Sequence, residues 1–158
     1  MNLAQRLQAE LKDAMRDRDE LRRDTLRMVL AAAQNAEKQA RRPLSDEELL
    51  GVFSREVKTR RESIEAYEKA ERPDLAAKER AEIELLSGFL PAAIGEEELR
   101  TMVREAIAES GATSARDLGR VMALLSPRTR NRADGRQVSA MVAQELARTD
   151  LAAHAESH

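Results

Sequence analysis

The chain has 158 residues, no cysteine and no tryptophan, and its 27 basic and 29 acidic side chains leave a net charge of −2. Without cysteine there is no disulfide, no thiolate metal site and no cysteine nucleophile. Six glycines, four prolines and the aromatics Phe53, Tyr67 and Phe89, set among abundant Ala, Leu, Glu and Arg, are the composition of an all-α protein with an aliphatic core.

Met1-Asn-Leu-Ala-Gln-Arg6 runs straight into an amphipathic pattern, with no signal-peptide character, and no apolar run approaches the ~18 residues that span a bilayer. The expectation is a soluble, cytoplasmic protein with no membrane contact. Leu3, Leu7, Leu11, Ala14 and Met15 mark the inner face of a first helix. A second carries Leu21, Thr25, Leu26, Val29, Ala32, Ala33, Ala36 and Ala40, its alanine half suited to close helix approach, and stops at Pro43. Ser45 with Glu48 forms a capping box that opens the longest helix, with Leu49, Phe53, Val57, Ile64 and Tyr67 in line and the charged run Lys58-Thr-Arg-Arg-Glu62 interrupting the stripe. Pro73 allows a turn and Asp74 begins a fourth helix bearing Leu75, Ile83, Leu86 and Leu90. These four helices predict an N-terminal helical bundle over residues 1–90.

Ser87-Gly-Phe-Leu-Pro-Ala-Ala-Ile-Gly95 is the predicted boundary, packed rather than free because of Phe89, Leu90 and Ile94. Beyond it, Gly95 and Glu96-Glu-Glu98 open a helix with Leu99, Met102, Val103, Ala106 and Ile107, which Gly111 ends. Ser114 with Asp117 caps a short helix bearing Leu118, Val121, Met122 and Leu125, disrupted at Pro127. Asp134 caps a last one with Val138, Met141, Val142 and Leu146. Residues 95–149 thus form a small three-helix tail domain, and 150–158 are expected to be a frayed, disordered tail.

The most concentrated chemistry lies between residues 116 and 136, where Arg116, Arg120, Arg128, Arg130, Arg132 and Arg136 face only Asp117 and Asp134. Basic side chains gathered this way attract a phosphate backbone, although such runs also serve as solvated helix faces. Catalytic constellations are missing from the pattern. Both histidines, His154 and His158, fall in the polar tail, which removes the usual general base and metal ligand. No Glu-x-x-His pair, Walker loop, dinucleotide fingerprint or G-x-S-x-G elbow is present. The acids, Glu47-Glu48 or Glu82 and Glu84 among them, read as i,i+4 partners of Arg and Lys. No enzyme activity, cofactor or metal is expected.

Several ordered motifs resemble one family: Leu21-Arg-Arg-Asp-Thr-Leu-Arg-Met-Val-Leu-Ala-Ala-Ala-Gln-Asn-Ala-Glu37, Leu44-Ser-Asp-Glu-Glu48, Glu56-Val-Lys-Thr-Arg-Arg-Glu-Ser-Ile-Glu-Ala-Tyr67, Arg72-Pro-Asp-Leu-Ala76, Phe89-Leu-Pro91, Gly119-Arg-Val-Met122, and Arg132-Ala-Asp-Gly135 with Val138. Over nearly its full length the chain is similar to the GatB/YqeY family, and within it to the stand-alone YqeY-like proteins. One departure is Asn131, where that family usually has Gly. Asn tolerates positive φ next best, so the turn is expected to survive. The resemblance implies a helical N-terminal domain joined to a three-helix tail. In the larger relative, the B subunit of the tRNA-dependent glutamine amidotransferase, this module ends the chain and its tail helps hold tRNA. A label of glutamine-dependent carbon–nitrogen ligase would be inherited from that enzyme, whose catalytic cradle is not part of these residues.

Two functions follow. In the first, the six arginines grip tRNA or another structured RNA through its phosphates, and the scarcity of aromatics argues against base stacking. Gly119, Asp134 and Gly135 then shape the motif, Gly119 by permitting close helix contact and Gly135 by following the capping Asp134. In the second, the chain is an adaptor that docks on an amidotransferase, a synthetase or another protein through Arg22, Arg23, Arg27, Lys58, Arg60 and Arg61. The simpler expectation for those side chains is pairing with Glu56, Glu62 and Glu65 on neighbouring turns.

Overall fold

Most helices of this protein start and stop where the chain supplies a cap. A computed structural model describes residues 1–156. Among these are seven α-helices and one 3-10 turn, and no strand: α1 (Leu3–Arg16), α2 (Glu20–Ala40), α3 (Asp46–Lys69), α4 (Pro73–Ser87), α5 (Glu96–Ser110), the 3-10 turn Ala115–Asp117, α6 (Leu118–Thr129) and α7 (Gly135–Glu156). The fold is all-α. The chain divides into two compact units, Met1–Pro91 and the residues from Ala92 onward.

In the first unit the caps are local and polar. Asn2 and Gln5 form a capping box on α1, and Asp19 accepts the Arg22 N–H at 3.2 Å to open α2. At α3, Ser45 Oγ accepts the Glu48 N–H at 3.1 Å while Glu48 returns the bond to Ser45 N. The Arg42 guanidinium grips the same carboxylate at 2.7 and 2.9 Å and, with the Ser45 bonds, holds it down to about 2. Chain reversals after α1, α2 and α3 use Arg18, Arg41 and Glu71 at φ 55°, 57° and 56°, left-handed conformations without glycine.

The hairpins α1–α2 and α3–α4 pack together around Leu7, Leu26, Val29, Phe53 and Leu86, each at most 2 % exposed. The Phe53 ring stacks on Phe89 with centroids 4.7 Å apart, and Arg6 lies 4.4 Å over Phe89 while donating to the Gly88 carbonyl at 3.0 Å. The segment after α4 is thereby fastened to its own unit. Met15, expected on the inner face, is 50 % exposed instead, because the smaller Ala14 fills the inward position at the end of α1. The charged interruption in α3 also resolves differently. Arg60 is 3 % exposed and lies between Glu56 and Glu82 inside the α3–α4 hairpin, which removes it from any docking surface.

In the second unit α5, α6 and α7 enclose Leu99, Val103, Val121, Leu125, Val142 and Leu146, each fully buried. Gly111, at φ 70°, ends α5 in the left-handed conformation that glycine adopts at least cost. Glu145 sits inward between Val142 and Leu146, 4 % exposed. Two expectations are corrected. Pro127 does not break α6, which continues to Thr129; the carbonyl deprived of a partner belongs to exposed Ala123, where water can satisfy it. Residues 150–156, expected to fray, are the last turns of α7, where Leu151, Ala152, Ala153 and Ala155 favour helix. His154 lies on that helix, 3.5 Å from Asp150, whereas His158 lies outside the described residues.

Candidate nucleic-acid interface

The arginine-rich segment is a sequence of small, well-bonded turns. Ser114 and Asp117 cap each other across the 3-10 turn. The Asp117 carboxylate accepts the Thr113 N–H at 2.9 Å and the Ser114 N–H at 3.3 Å, and its other oxygen takes Arg120 Nη2 at 3.2 Å. The Thr113 N–H leads in holding this carboxyl below its ordinary range, against a burial that works the other way. On α6, Val121, Leu125 and Thr129 face the core while Arg116 before it and Arg120 on it are exposed. After α6, Asn131 takes φ 63°, the left-handed value expected where the resembled family has glycine. Asp134 then accepts the Arg136 N–H at 3.0 Å and opens α7 at Gly135.

The six arginines are not equivalent. Arg116, Arg120, Arg128, Arg130 and Arg136 are exposed. Arg120 is bonded to Asp117, and Arg128 reaches Glu109 of α5 at 3.2 Å. Arg132 is half-buried and structural: its Nε donates to the Ala92 carbonyl at 3.2 Å, and its own carbonyl accepts the Ile94 N–H at 2.9 Å. It ties the start of the second unit to the turn before α7.

Gly135 follows the capping Asp134 as expected, but Gly119 departs from its expected role. A Cβ at Gly119 would meet nothing within 4 Å, so close helix contact is not its purpose, and a Cβ at Gly135 would be equally unobstructed. Gly119→Ala should therefore stabilise the second unit by about 0.5–1 kcal/mol, since an exposed helical glycine costs backbone entropy and offers no packing in return. A lower thermal midpoint for that variant would show that the site is covered.

Two buried clusters go beyond the sequence pattern. Arg60 pairs with Glu56 as expected but is buried and also meets Glu82, and Glu145 gathers Arg100 at 2.7 Å, Arg104 at 3.1 Å and Arg148 at 3.5 Å. The available signal was charge at an inward helical position, Arg60 three residues after Val57 and Glu145 between Val142 and Leu146. Of the other predicted docking residues, Arg23 pairs with Asp24 at 2.9 Å and Arg27 reaches the Met15 sulfur at 4.0 Å. No helix among the described residues is long and apolar enough to cross a membrane, and no group of three or more His, Asp or Glu among them could hold a metal ion.

Comparison with known proteins gives a coherent picture. A protein named Altered inheritance of mitochondria protein 41, mitochondrial, from Pyrenophora tritici-repentis is 36 % identical over 129 residues, covering 78 % of this chain and 71 % of that protein. The protein of the same name from Vanderwaltozyma polyspora is 38 % identical over 85 residues, 53 % of this chain and 46 % of its own length. An uncharacterized protein of Schizosaccharomyces pombe is 36 % identical over 90 residues, 57 % of this chain and 73 % of its own. The mitochondrial naming of the first two relatives overturns the cytoplasmic expectation. That expectation had rested on the lack of signal-peptide character and of a bilayer-spanning run, neither of which distinguishes one aqueous compartment from another. The family model described as Yqey-like protein matches residues 4–146, and the chain belongs to that family.

Proposed function

We propose that this protein is a non-catalytic module that binds tRNA or another structured RNA through the exposed arginines of its second unit. The observation that carries the reading is the exposure of Arg116, Arg120, Arg128, Arg130 and Arg136 on a single small unit. The acids that meet Arg120 and Arg128 do so in exposed, salt-screened pairs, the kind of contact a phosphate replaces. All three aromatic side chains lie in the first unit, so recognition rests on phosphates and RNA shape. The association with a glutamine-dependent carbon–nitrogen ligase is read as kinship with the RNA-holding part of that enzyme, not as its chemistry.

The test is an electrophoretic shift of total tRNA at two salt concentrations, with wild type beside an Arg116/Arg120/Arg128/Arg130→Ala variant. Arg132 stays in place because of its structural bonds. Wild type is expected to bind at micromolar concentration or tighter and to release with salt. The variant should bind far more weakly, with the slope of log K on log salt shallower by about 3. A salt-independent complex, or none, overturns the reading.

One observation favours the adaptor alternative. Met15 and Met28 are 50 % and 53 % exposed on the first unit, and adaptable thioethers suit protein contact. A single stoichiometric protein partner that survives nuclease treatment would support it, whereas loss of every partner would support RNA.

A further inference from the structure

Glu145 holds more cationic partners than one carboxylate can neutralise. Its side chain is 5 % exposed and is met by Arg100, Arg104 and Arg148, of which only Arg100 has a second acid among the described residues, Glu96 at 3.5 Å. Arg104 and Arg148 remain 54 % and 63 % exposed. Arg148 reaches the carboxylate only at 3.5 Å, so most of its five N–H donors are turned to solvent. Both side chains line an open groove of about 610 Å³ between α5 and α7, with buried Ile107 and Ala112 at its floor and exposed Thr113 and Ala152 at its edge. Its one acid is buried and already occupied, so the groove presents a net positive wall over an apolar floor.

We propose that this groove seats a phosphate and ribose of the bound RNA, with Arg104 and Arg148 as its grips; the inference rests on the RNA reading above. The groove adjoins the arginine-rich segment at one edge: the backbone N–H of the lining residue Thr113 donates to Asp117, whose other oxygen holds Arg120. A polyanion that engages Arg120 is thereby brought beside the groove, and a small isolated anion would need no such neighbour. The aliphatic floor accepts the sugar and offers no ring for a base, so the grip is indifferent to sequence. Glu145 acts as a positioning residue: it fixes the two guanidinium groups at their stems and leaves their outer faces to the phosphate.

The experiment measures fluorescence anisotropy of labelled total tRNA against the full chain over a salt series. It compares wild type with Arg104→Gln/Arg148→Gln and with Ala152→Glu. The first variant leaves Glu145 paired with Arg100. The second places a carboxylate in the groove, one turn from Arg148, at an exposed position away from the core. Both should bind about tenfold more weakly, and the double variant should lose about 1–2 from its salt slope, at an unchanged far-UV circular dichroism spectrum. Wild type that binds with a salt slope that neither variant alters overturns the groove and leaves the RNA reading standing. Wild type that binds no tRNA overturns both.

Discussion

Arg60→Ala is expected to destabilise the first unit by about 3–5 kcal/mol, the largest loss from any single charged residue in the chain. The guanidinium is 3 % exposed and spends its donors on three elements. Nε bonds Glu82 of α4 at 2.7 Å, Nη1 bonds the Glu56 carboxylate at 2.7 Å and the Glu56 carbonyl at 3.1 Å, and Nη2 reaches the Met28 sulfur of α2 at 3.5 Å. Burial works against its charge, and the two carboxylates more than offset that. Removing it leaves Glu56 and Glu82 facing one another with no cation. Nearby Glu79, already pushed up by its own burial and by Glu82, would share that repulsion. Arg60→Lys should recover only part of the loss, because a point charge cannot span both acids in the arginine's planar geometry. Amide exchange across residues 46–87 in each variant measures the effect within this unit. Wild-type protection in Arg60→Ala would mean that water already screens the pair.

Glu145→Ala should cost the second unit about 2–4 kcal/mol. One buried carboxylate joins α5, through Arg100 and Arg104, to α7, which carries Arg148; its loss leaves three arginines without their shared partner. Burial alone would push this carboxyl up. The bonds from Arg104 and Arg100 outweigh it and hold the group below its ordinary value of 4.5. A depressed folded-state value means that the contribution is complete above about pH 4.5 and drains away as pH falls through the folded value. The wild-type second unit should therefore lose stability as solutions become more acidic than pH 4.5, and Glu145→Ala should flatten its share of that loss. Urea unfolding at neutral and acidic pH, read by amide exchange at α5 and α7, tests this. An equal acid sensitivity in the variant would assign the effect to other carboxylates.

The helices were legible because each announces itself over three or four residues. Ser45 and Glu48 cap α3 as their spacing requires, Gly111 supplies the left-handed end of α5, and Asn131 takes the positive φ that the motif needs. What stayed hidden depends on partners far along the chain. Arg60 meets Glu82 across 22 residues and Glu145 meets Arg104 across 41, so a local pattern shows only a charge interrupting an apolar stripe. The candidate site was partly legible for the same reason. Composition reveals that arginines cluster between 116 and 136, but not that Arg132 turns back to Ala92, nor that Arg104 and Arg148 lie on a groove beside them. Pro127 and the last turns of α7 were misjudged because a local breaker or a polar tail was given more weight than an exposed carbonyl and good helix formers.

The Arg132 tie has a wider meaning. Through Ala92 and Ile94, the first residues of the second unit are stitched to the turn that presents the arginines, so that turn takes its shape from within the unit. A peptide cut at residue 95 would lose the stitch, whereas one cut at 92 would keep it. The brace of the basic turn is thus supplied by residues 92–94, about 40 positions upstream of the arginines that it holds in place.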